Sequence, residues 1–190
     1  RSSMSHLIDL TSYDDIQSTV SKTLAEFGKI DILVNNAQVD FSKSFLEVST
    51  DEWKNIMGYN VDSIFMFSKE VGKHMVANNY GRIININSIA AIRGMWNSAP
   101  LCASRGAVSQ LTASLGLEWA EFGVRVNGIG AGWITTSSTD SIDILERYLP
   151  SRHKGHPTDL CGLLVYLASE SCDFVTGTTI NIDGGALAHA

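Results

Sequence analysis

Three residues near the middle of the chain have side chains and a spacing that bear on chemistry. Ser88 is followed by Leu101 thirteen positions later and by Arg105 four positions after that. A serine hydroxyl can polarise a carbonyl oxygen, and a guanidinium stays charged and can hydrogen-bond a ribose or an anion. Leu101 carries a hydrocarbon and can transfer no proton. The segment therefore combines a polarising hydroxyl and a fixed positive charge with a chemically inert position.

The region before Ser88 contains two motifs that help to identify this arrangement. Residues 27–37 read Phe-Gly-Lys-Ile-Asp-Ile-Leu-Val-Asn-Asn-Ala, and the next residue is Gln38. This run resembles the lead-in to the Asn-Asn-Ala-Gly turn of the short-chain dehydrogenase/reductases, with glutamine in place of the glycine. Trp53 and Asn60 then fall where the long helix of that family carries a tryptophan and a catalytic asparagine.

The region after Ser88 continues the same resemblance in the same order. Residues 123–127 lead into Ala131 and Gly132, where the family usually has Pro-Gly, and residues 183–185 match its Asp-Gly-Gly signature. The resemblance runs through nearly all 190 residues. It implies a Rossmann-like fold, NAD or NADP as cofactor, and oxidation or reduction of a secondary alcohol or ketone.

The family's catalytic residues are implied at Ser88, Asn60, Leu101 and Arg105. Leu101 stands where the family keeps a tyrosine, and Arg105 stands where it keeps a lysine. In the family a hydride moves between the nicotinamide and a carbonyl carbon, while the tyrosine transfers a proton. The lysine lowers the pKa of that phenol and holds the nicotinamide ribose. Because Leu101 replaces the phenol, we expect the activity to be weakened or lost.

The same resemblance implies seven cofactor-binding positions. They fall at the end of the family's third strand, in the turn beneath the adenosine, and after its sixth strand. They are Asp9, Asn35, Ala37, Gln38, Gly132, Ile134 and Thr136. Trp96, Trp133 and residues 137–153 are expected to border a small-molecule substrate pocket. His153 and His156 are interpreted as surface residues, and no metal site is predicted.

Helical and strand patterns alternate along the chain, which predicts an α/β protein with a doubly wound parallel sheet in one domain, residues 1–190. Thr11 or Ser12 can cap the first helix, and Ser49 with Glu52 forms a capping-box pattern before the long second helix. Strands are expected at 32–34, 82–87, 124–129 and 178–182. Further helices are expected at 100–121, 141–148 and 157–168.

The glycine-rich turn that binds pyrophosphate in such folds is missing from the sequence, since no glycine precedes Gly28. Residues 6–9 look like the family's third strand. This interpretation predicts that the first two strand–helix units are absent. At ~30 residues per unit, about 60 residues would be missing. We therefore expect a fragment of a longer protein that binds the dinucleotide weakly by itself.

Composition limits the classes of partner. Hydrophobic residues make up 44% of the chain and charged residues 18%, as in an ordinary globular domain. A formal charge of −6 without a basic cluster argues against nucleic acid. We find neither a long apolar run nor a signal peptide, so we expect a cytoplasmic protein without a membrane partner. Three cysteines without metal-ligand spacing predict free thiols.

Other functions stay open at this stage. The chain can be a catalytically silent homologue that acts as a subunit or binding module, with Ser88 at a strand end, Leu101 in a helix core and Arg105 on a helix surface. The halohydrin dehalogenases, which resemble this family, have arginine at the lysine position, so a halide or epoxide site is a further alternative. A homodimer or homotetramer is expected through helices 50–75 and 100–121. Neither the substrate nor the choice between NAD and NADP is predicted.

Overall fold

The computed structural model describes residues 2–136 and 147–188. A sheet of four parallel strands lies at its centre, in the order β1-β2-β3-β4. The strands are β1 (Ile32–Asn35), β2 (Gly81–Ser88), β3 (Val124–Ala131) and β4 (Thr179–Ile182). All four predicted strands are therefore confirmed, and their carboxyl ends meet at one edge of the sheet.

The two central strands are buried on both faces, as expected for a parallel sheet covered by helices. Within residues 2–136 and 147–188, five α-helices surround the sheet: α1 (Tyr13–Phe27), α2 (Thr50–Met57), α3 (Ser63–Ala77), α4 (Ala99–Glu118) and α5 (Thr158–Ala168). One core joins α1, α3 and α4 to one sheet face, around Val71, Met75 and Val126. A second core joins α5 to the opposite face, around Ile129 and Leu167. Coverage of both faces confirms the doubly wound arrangement.

The first helix starts and ends where local sequence signals place it. Ser12 accepts a hydrogen bond from the backbone N–H of Asp15, and Gly28 ends the helix with φ of +80°. A glycine is favoured there because the left-handed conformation is strained for residues that carry a Cβ. The predicted capping box of α2 is also present between Ser49 and Glu52.

The long helix predicted after residue 50 is interrupted by one π-helical turn. This turn, Gly58–Asp62, separates α2 from α3 and carries Asn60. A π turn inserts one extra residue into the helical ladder and locally changes the direction of the side chains. The π turn therefore sets the direction in which the buried Asn60 side chain points.

The predicted strand at residues 6–9 is wrong, because these residues form neither helix nor strand. A strand needs a neighbour with which to exchange backbone hydrogen bonds, and β1 pairs only with β2 among the described residues. Ile32 and Val34 on β1 are consequently exposed. Most of the predicted helix 141–148 lies outside the described residues. In residues 2–136 and 147–188, no helix is long and apolar enough to cross a membrane.

Candidate active site

A cleft of about 330 Å³ lies at the carboxyl ends of β2 and β3 and beside the start of α4. This position is where ligands bind in open parallel sheets. The cleft brings together Ser88, Leu101 and Arg105, the three residues from which the sequence argument started. Its lining residues are Gln38, Asp40, Asn87, Ser88, Ile89, Met95, Leu101, Arg105, Ala131, Gly132, Trp133 and Ile134.

Ser88 is the last residue of β2 and caps the short 3-10 turn that follows. Its Oγ accepts a hydrogen bond from the backbone N–H of Ala90 at 3.2 Å. This bond uses a lone pair of the hydroxyl and leaves its proton free to donate. Ser88 is half-buried, so a ligand in the cleft can receive that hydrogen bond.

Asn60 lies beneath the cleft and is fully buried. Its Nδ2 donates to the carbonyl oxygen of Val39 at 3.0 Å, and the N–H of Val39 donates to its Oδ1 at 2.9 Å. Nδ2 also donates to Ser104 Oγ at 3.3 Å, and Ser104 Oγ donates to the carbonyl oxygen of Leu101 at 2.7 Å. Asn60 thus connects the loop after β1 to the first turn of α4.

Arg105 is buried at 1% exposure, so the interpretation that placed it on a helix surface is wrong. Its Nε and Nη1 atoms have no hydrogen-bond partner. Burial lowers the pKa of the Arg105 guanidinium, while the negative charge of Asp40 raises it. Placing a charged group away from water without partners is unfavourable, which is typical of a site that binds a ligand.

Asn87 contributes a third unpaired atom to the same cleft. Its Nδ2 donates to the carbonyl oxygen of Arg105 and to Ser109 Oγ, both at 3.1 Å. Its Oδ1 is buried without a partner. The cleft therefore offers two donors and one acceptor that can bind vicinal hydroxyls such as those of a ribose. The residues present fit the sugar of a dinucleotide.

Leu101 occupies the cleft wall and is only half-buried, so it is not simply a core residue of α4. Leu101 and Arg105 both accept side-chain hydrogen bonds at their carbonyl oxygens, from Ser104 of the same helix and from Asn87 of β2. The side chain at position 101 faces the space in which Ser88 and Arg105 also lie. A proton-transferring side chain at position 101 would therefore reach the cleft, but leucine cannot transfer a proton.

The predicted cofactor residues of the β1 loop divide between two clefts. Gln38 lines the first, while Asn35 and Ala37 line a neighbouring cleft of about 240 Å³. The Asn35 amide points inward and donates to Asn85 Oδ1 at 2.8 Å. This hydrogen bond joins the side chains of β1 and β2. We therefore expect Asn35 to contact a ligand through its backbone.

Gly132 and Ile134 line the first cleft, as the family resemblance implied for cofactor residues. A Cβ on Gly132 would lie 2.6 Å from the Cα of Asp183, so only glycine fits there. Thr136 is exposed and lies at the end of the first described range. Asp9 is also exposed, and its carboxylate accepts hydrogen bonds from the N–H and Oγ1 of Thr11, which lowers its pKa.

Trp133 lines a third cleft of about 300 Å³ together with Leu149, Ser151 and His153. This is the pocket that residues up to 153 were expected to border, although residues 137–146 lie outside the described ranges. Trp96 is 90% exposed and is not among the residues that line either cleft. His153 and His156 are exposed, as interpreted from the sequence.

Comparison with known proteins identifies the family. Residues 2–186 match the family model described as "Enoyl-(Acyl carrier protein) reductase", which belongs to the short-chain dehydrogenase/reductases. This chain is a short-chain dehydrogenase/reductase. The match covers both the cleft and the sheet that carries it.

Several relatives of this short-chain dehydrogenase/reductase are named for gluconate derivatives. The chain is 38% identical to 2-dehydro-3-deoxy-D-gluconate 5-dehydrogenase of Escherichia coli (strain K12), over 95% of this chain and 75% of the relative. It is 33% identical to 5-keto-D-gluconate 5-reductase of the same organism, over 94% of this chain and 73% of the relative. A gluconate 5-dehydrogenase from Burkholderia cenocepacia J2315, solved in complex with NADP and tartrate, superposes with a TM-score of 0.91 at 32% identity, covering 96% of this chain and 74% of that one.

Two cleft residues of this short-chain dehydrogenase/reductase were missed by sequence reasoning. Asp40 follows the Asn-Asn-Ala turn in a loop without a motif, and hydrogen bonds of Val39 to Asn60 and of Lys43 to Asn97 hold that loop at the cleft. Asn87 precedes Ser88 in β2, where an apolar strand pattern surrounds it. An asparagine in the middle of a buried strand was the available signal, since buried amides need partners.

Proposed function

We propose that the chain is an NAD(P)-dependent oxidoreductase that interconverts a secondary alcohol and a ketone in a small polyhydroxy acid. The observation that carries this proposal is the cleft in which the Ser88 hydroxyl faces three unpaired buried atoms, Asn87 Oδ1 and Arg105 Nε and Nη1. Relatives named for gluconate derivatives support the substrate class, and a solved relative with NADP supports the cofactor.

Four residues in or beneath the cleft have roles in this proposal. The nicotinamide dinucleotide, when bound, accepts or supplies the hydride. Ser88 donates a hydrogen bond to the substrate oxygen and favours charge development there. Arg105 and Asn87 hold hydroxyls of the nicotinamide ribose. Asn60 acts at a distance, since it holds Val39 and the start of α4 in place.

Leu101 limits the proposed chemistry. General acid–base catalysis contributes a factor of roughly 10² to 10⁴, and a hydrocarbon contributes none of it. We infer that the chain is slower than a Leu101→Tyr counterpart unless another group transfers the proton. A catalytically silent subunit is the second candidate function, and Leu101 is the observation that favours it.

Cofactor affinity forms a separate part of the proposal. The clefts beside β1 and β3 supply contacts for a ribose and an amide, whereas no glycine precedes Gly28 to form a phosphate-binding turn. Residues 6–9 are not a strand, so Asp9 contacts the adenine only if strand partners order this segment. We infer weak NADPH binding by these 190 residues.

A homodimer or homotetramer is proposed through the outer faces of α3 and α4. These helices form an apolar groove lined by Phe65, Gly72, Val76, Leu115 and Trp119, with Lys69 and Lys73 at its rim. Phe65 is 48% exposed. An exposed apolar groove between two helices is typical of a subunit interface. Light scattering at micromolar concentration tests the assembly, and a monomer would contradict it.

The central experiment uses the protein expressed from its complete gene. NADP⁺ or NAD⁺ is supplied with D-gluconate and 2-dehydro-3-deoxy-D-gluconate, and NADPH or NADH with 5-keto-D-gluconate, while absorbance of the reduced nicotinamide is followed. We expect turnover of at least one of these acids. Cofactor binding by calorimetry without any turnover would favour the silent subunit, and Ser88→Ala provides the matched loss-of-function control.

A further inference from the structure

We propose that Asp40 transfers the substrate proton in this chain, in place of the residue at position 101. This inference rests on the proposed oxidoreductase function and names the group that this function otherwise lacks. It requires a titratable side chain that lines the cleft, a rigid support for that side chain, and a path by which the proton reaches solvent.

Asp40 meets the first requirement. Of residues 2–136 and 147–188, twelve line the cleft, and Asp40 and Arg105 are the two of these with ionisable side chains. A guanidinium stays protonated throughout the working pH range of an enzyme. The Ser88 hydroxyl and the amides of Gln38 and Asn87 form hydrogen bonds but do not ionise in that pH range. Among the lining residues, Asp40 is therefore the one that can both accept and release a proton.

The loop that carries Asp40 is fixed on both sides of it. The backbone of Val39, immediately before, exchanges two hydrogen bonds with the buried Asn60 amide, at 2.9 and 3.0 Å. The N–H of Lys43, three residues after, donates to the carbonyl oxygen of Asn97 at 2.7 Å. These contacts hold the loop against α2, α3 and the segment before α4. A general base held in this way keeps its position relative to Ser88.

Charges around Asp40 suit a proton-transferring carboxylate. Arg105 faces it across the cleft, and the attraction between the two groups supports the charge of the buried guanidinium. Lys43 is occupied by Glu52, with Nζ–Oε distances of 2.9 and 3.0 Å. His153, Asp159 and Asp183 belong to the adjoining third cleft. Within the described part of the chain, Arg105 is therefore the charged residue that shares the first cleft with Asp40.

Oxidation of the alcohol removes one proton and one hydride from the substrate. A carboxylate oxygen of Asp40 accepts the proton of the substrate hydroxyl as the O–H bond breaks. The electron pair of that bond forms the carbonyl as the carbon loses its hydride, which a bound oxidised nicotinamide dinucleotide would accept. Asp40 is exposed and releases its proton to water before the next turnover. Reduction follows the same steps in reverse, with the protonated Asp40 as the acid.

Asp40→Asn in the product of the complete gene tests this proposal, with Asp51→Asn as the matched control on the exposed first turn of α2. We expect kcat for the acid that the wild type oxidises to fall by roughly 10² to 10⁴. In the wild type, kcat/KM should fall at low pH because the catalytic base becomes protonated. This fall should be absent in Asp40→Asn. Calorimetric NADP⁺ affinity and the Tm should match those of the wild type and of Asp51→Asn.

A rescue variant separates proton transfer from other roles of Asp40. Adding Leu101→Tyr and Arg105→Lys to Asp40→Asn should restore kcat, since a phenol then replaces the carboxylate. Unchanged kcat and an unchanged pH profile in Asp40→Asn would overturn the proposal while leaving the oxidoreductase function intact. Loss of NADP⁺ affinity in parallel with kcat would also overturn it, because Asp40 would then act only as the counter-charge of Arg105. No turnover by the wild type would overturn both.

Discussion

Arg82 and Arg105 are buried almost equally, at 2% and 1% exposure, but their guanidinium groups are satisfied very differently. Arg82 donates to the carbonyl oxygens of Ser169, Gly81 and Gly123 and to Asp173 Oδ1. Arg105 leaves Nε and Nη1 without partners. One arginine therefore stabilises the fold, and the other is held ready for a ligand.

Replacing each arginine by methionine should consequently change stability in opposite directions. Arg105→Met should raise the free energy of unfolding of the ligand-free chain by about 1–4 kcal/mol, because an uncompensated buried charge is removed. Arg82→Met should lower it by about 3–5 kcal/mol, because backbone carbonyls lose their donors. Urea unfolding measures both. A destabilised Arg105→Met variant would contradict a ligand-binding role for this guanidinium.

Two helical glycines provide a second matched pair. A Cβ on Gly116 in α4 would collide with the backbone of Gly177, whereas a Cβ on Gly162 in α5 would meet nothing within 4 Å. Gly116→Ala should therefore destabilise the chain by about 1–3 kcal/mol through overpacking. Gly162→Ala should stabilise it by about 0.5–1 kcal/mol, since alanine favours the helix. Thermal unfolding by circular dichroism compares the two, and equal shifts would contradict this packing.

Glu52 should make stability depend on pH in the acid range. The backbone N–H of Ser49 and the Lys43 ammonium, in that order, lower its pKa from 4.5 to about 2. A folded-state pKa below the unfolded value stabilises the folded chain above pH 4.5, and this contribution disappears as the pH falls towards 2. The stability difference between wild type and Glu52→Gln should therefore shrink over that range. A difference in Tm that is constant from pH 6 to pH 2 would contradict it.

Leu101→Tyr together with Arg105→Lys should raise ketone reduction in the product of the complete gene. A phenol alone keeps a high pKa, and an ammonium alone has no proton donor to tune, so each single change should do less. The two changes should be strongly non-additive. Initial rates on a panel of ketones and alcohols measure this. If the double variant binds cofactor without any gain, either Asp40 already transfers the proton or the block lies at Gln38 or Ala131.

Most of the fold could be predicted because its signals are local. The helix at 157–168 and the four strands follow from periodicity and caps, and the parallel sheet follows from their alternation. The π turn at Gly58–Asp62 has no such signal, since weak helix formers such as Gly58 and Asn60 also occur within ordinary helices. The strand expected at residues 6–9 failed because a strand depends on a neighbour, and a local pattern does not supply one.

The site was predicted only in part, for a similar reason. Motif spacing located Ser88, Leu101 and Arg105 in one cleft, as the structure has them. The burial of Arg105 and the arrival of Asp40 in that cleft depend on tertiary contacts, namely the Asn60 contacts with Val39 and Ser104. An amphipathic helix pattern places an arginine on the surface, and only the packed molecule shows that it lies inside.

Two hydrogen bonds at positions 101 and 105 of α4, beside the cleft, end on main-chain oxygens. Ser104 binds the carbonyl oxygen of Leu101, and Asn87 binds that of Arg105. Every type of residue has this oxygen, so the support of these two positions does not depend on which side chains they carry. A lineage can therefore exchange a proton donor for a hydrocarbon at position 101, or reverse the exchange, by point mutations that leave the scaffold intact.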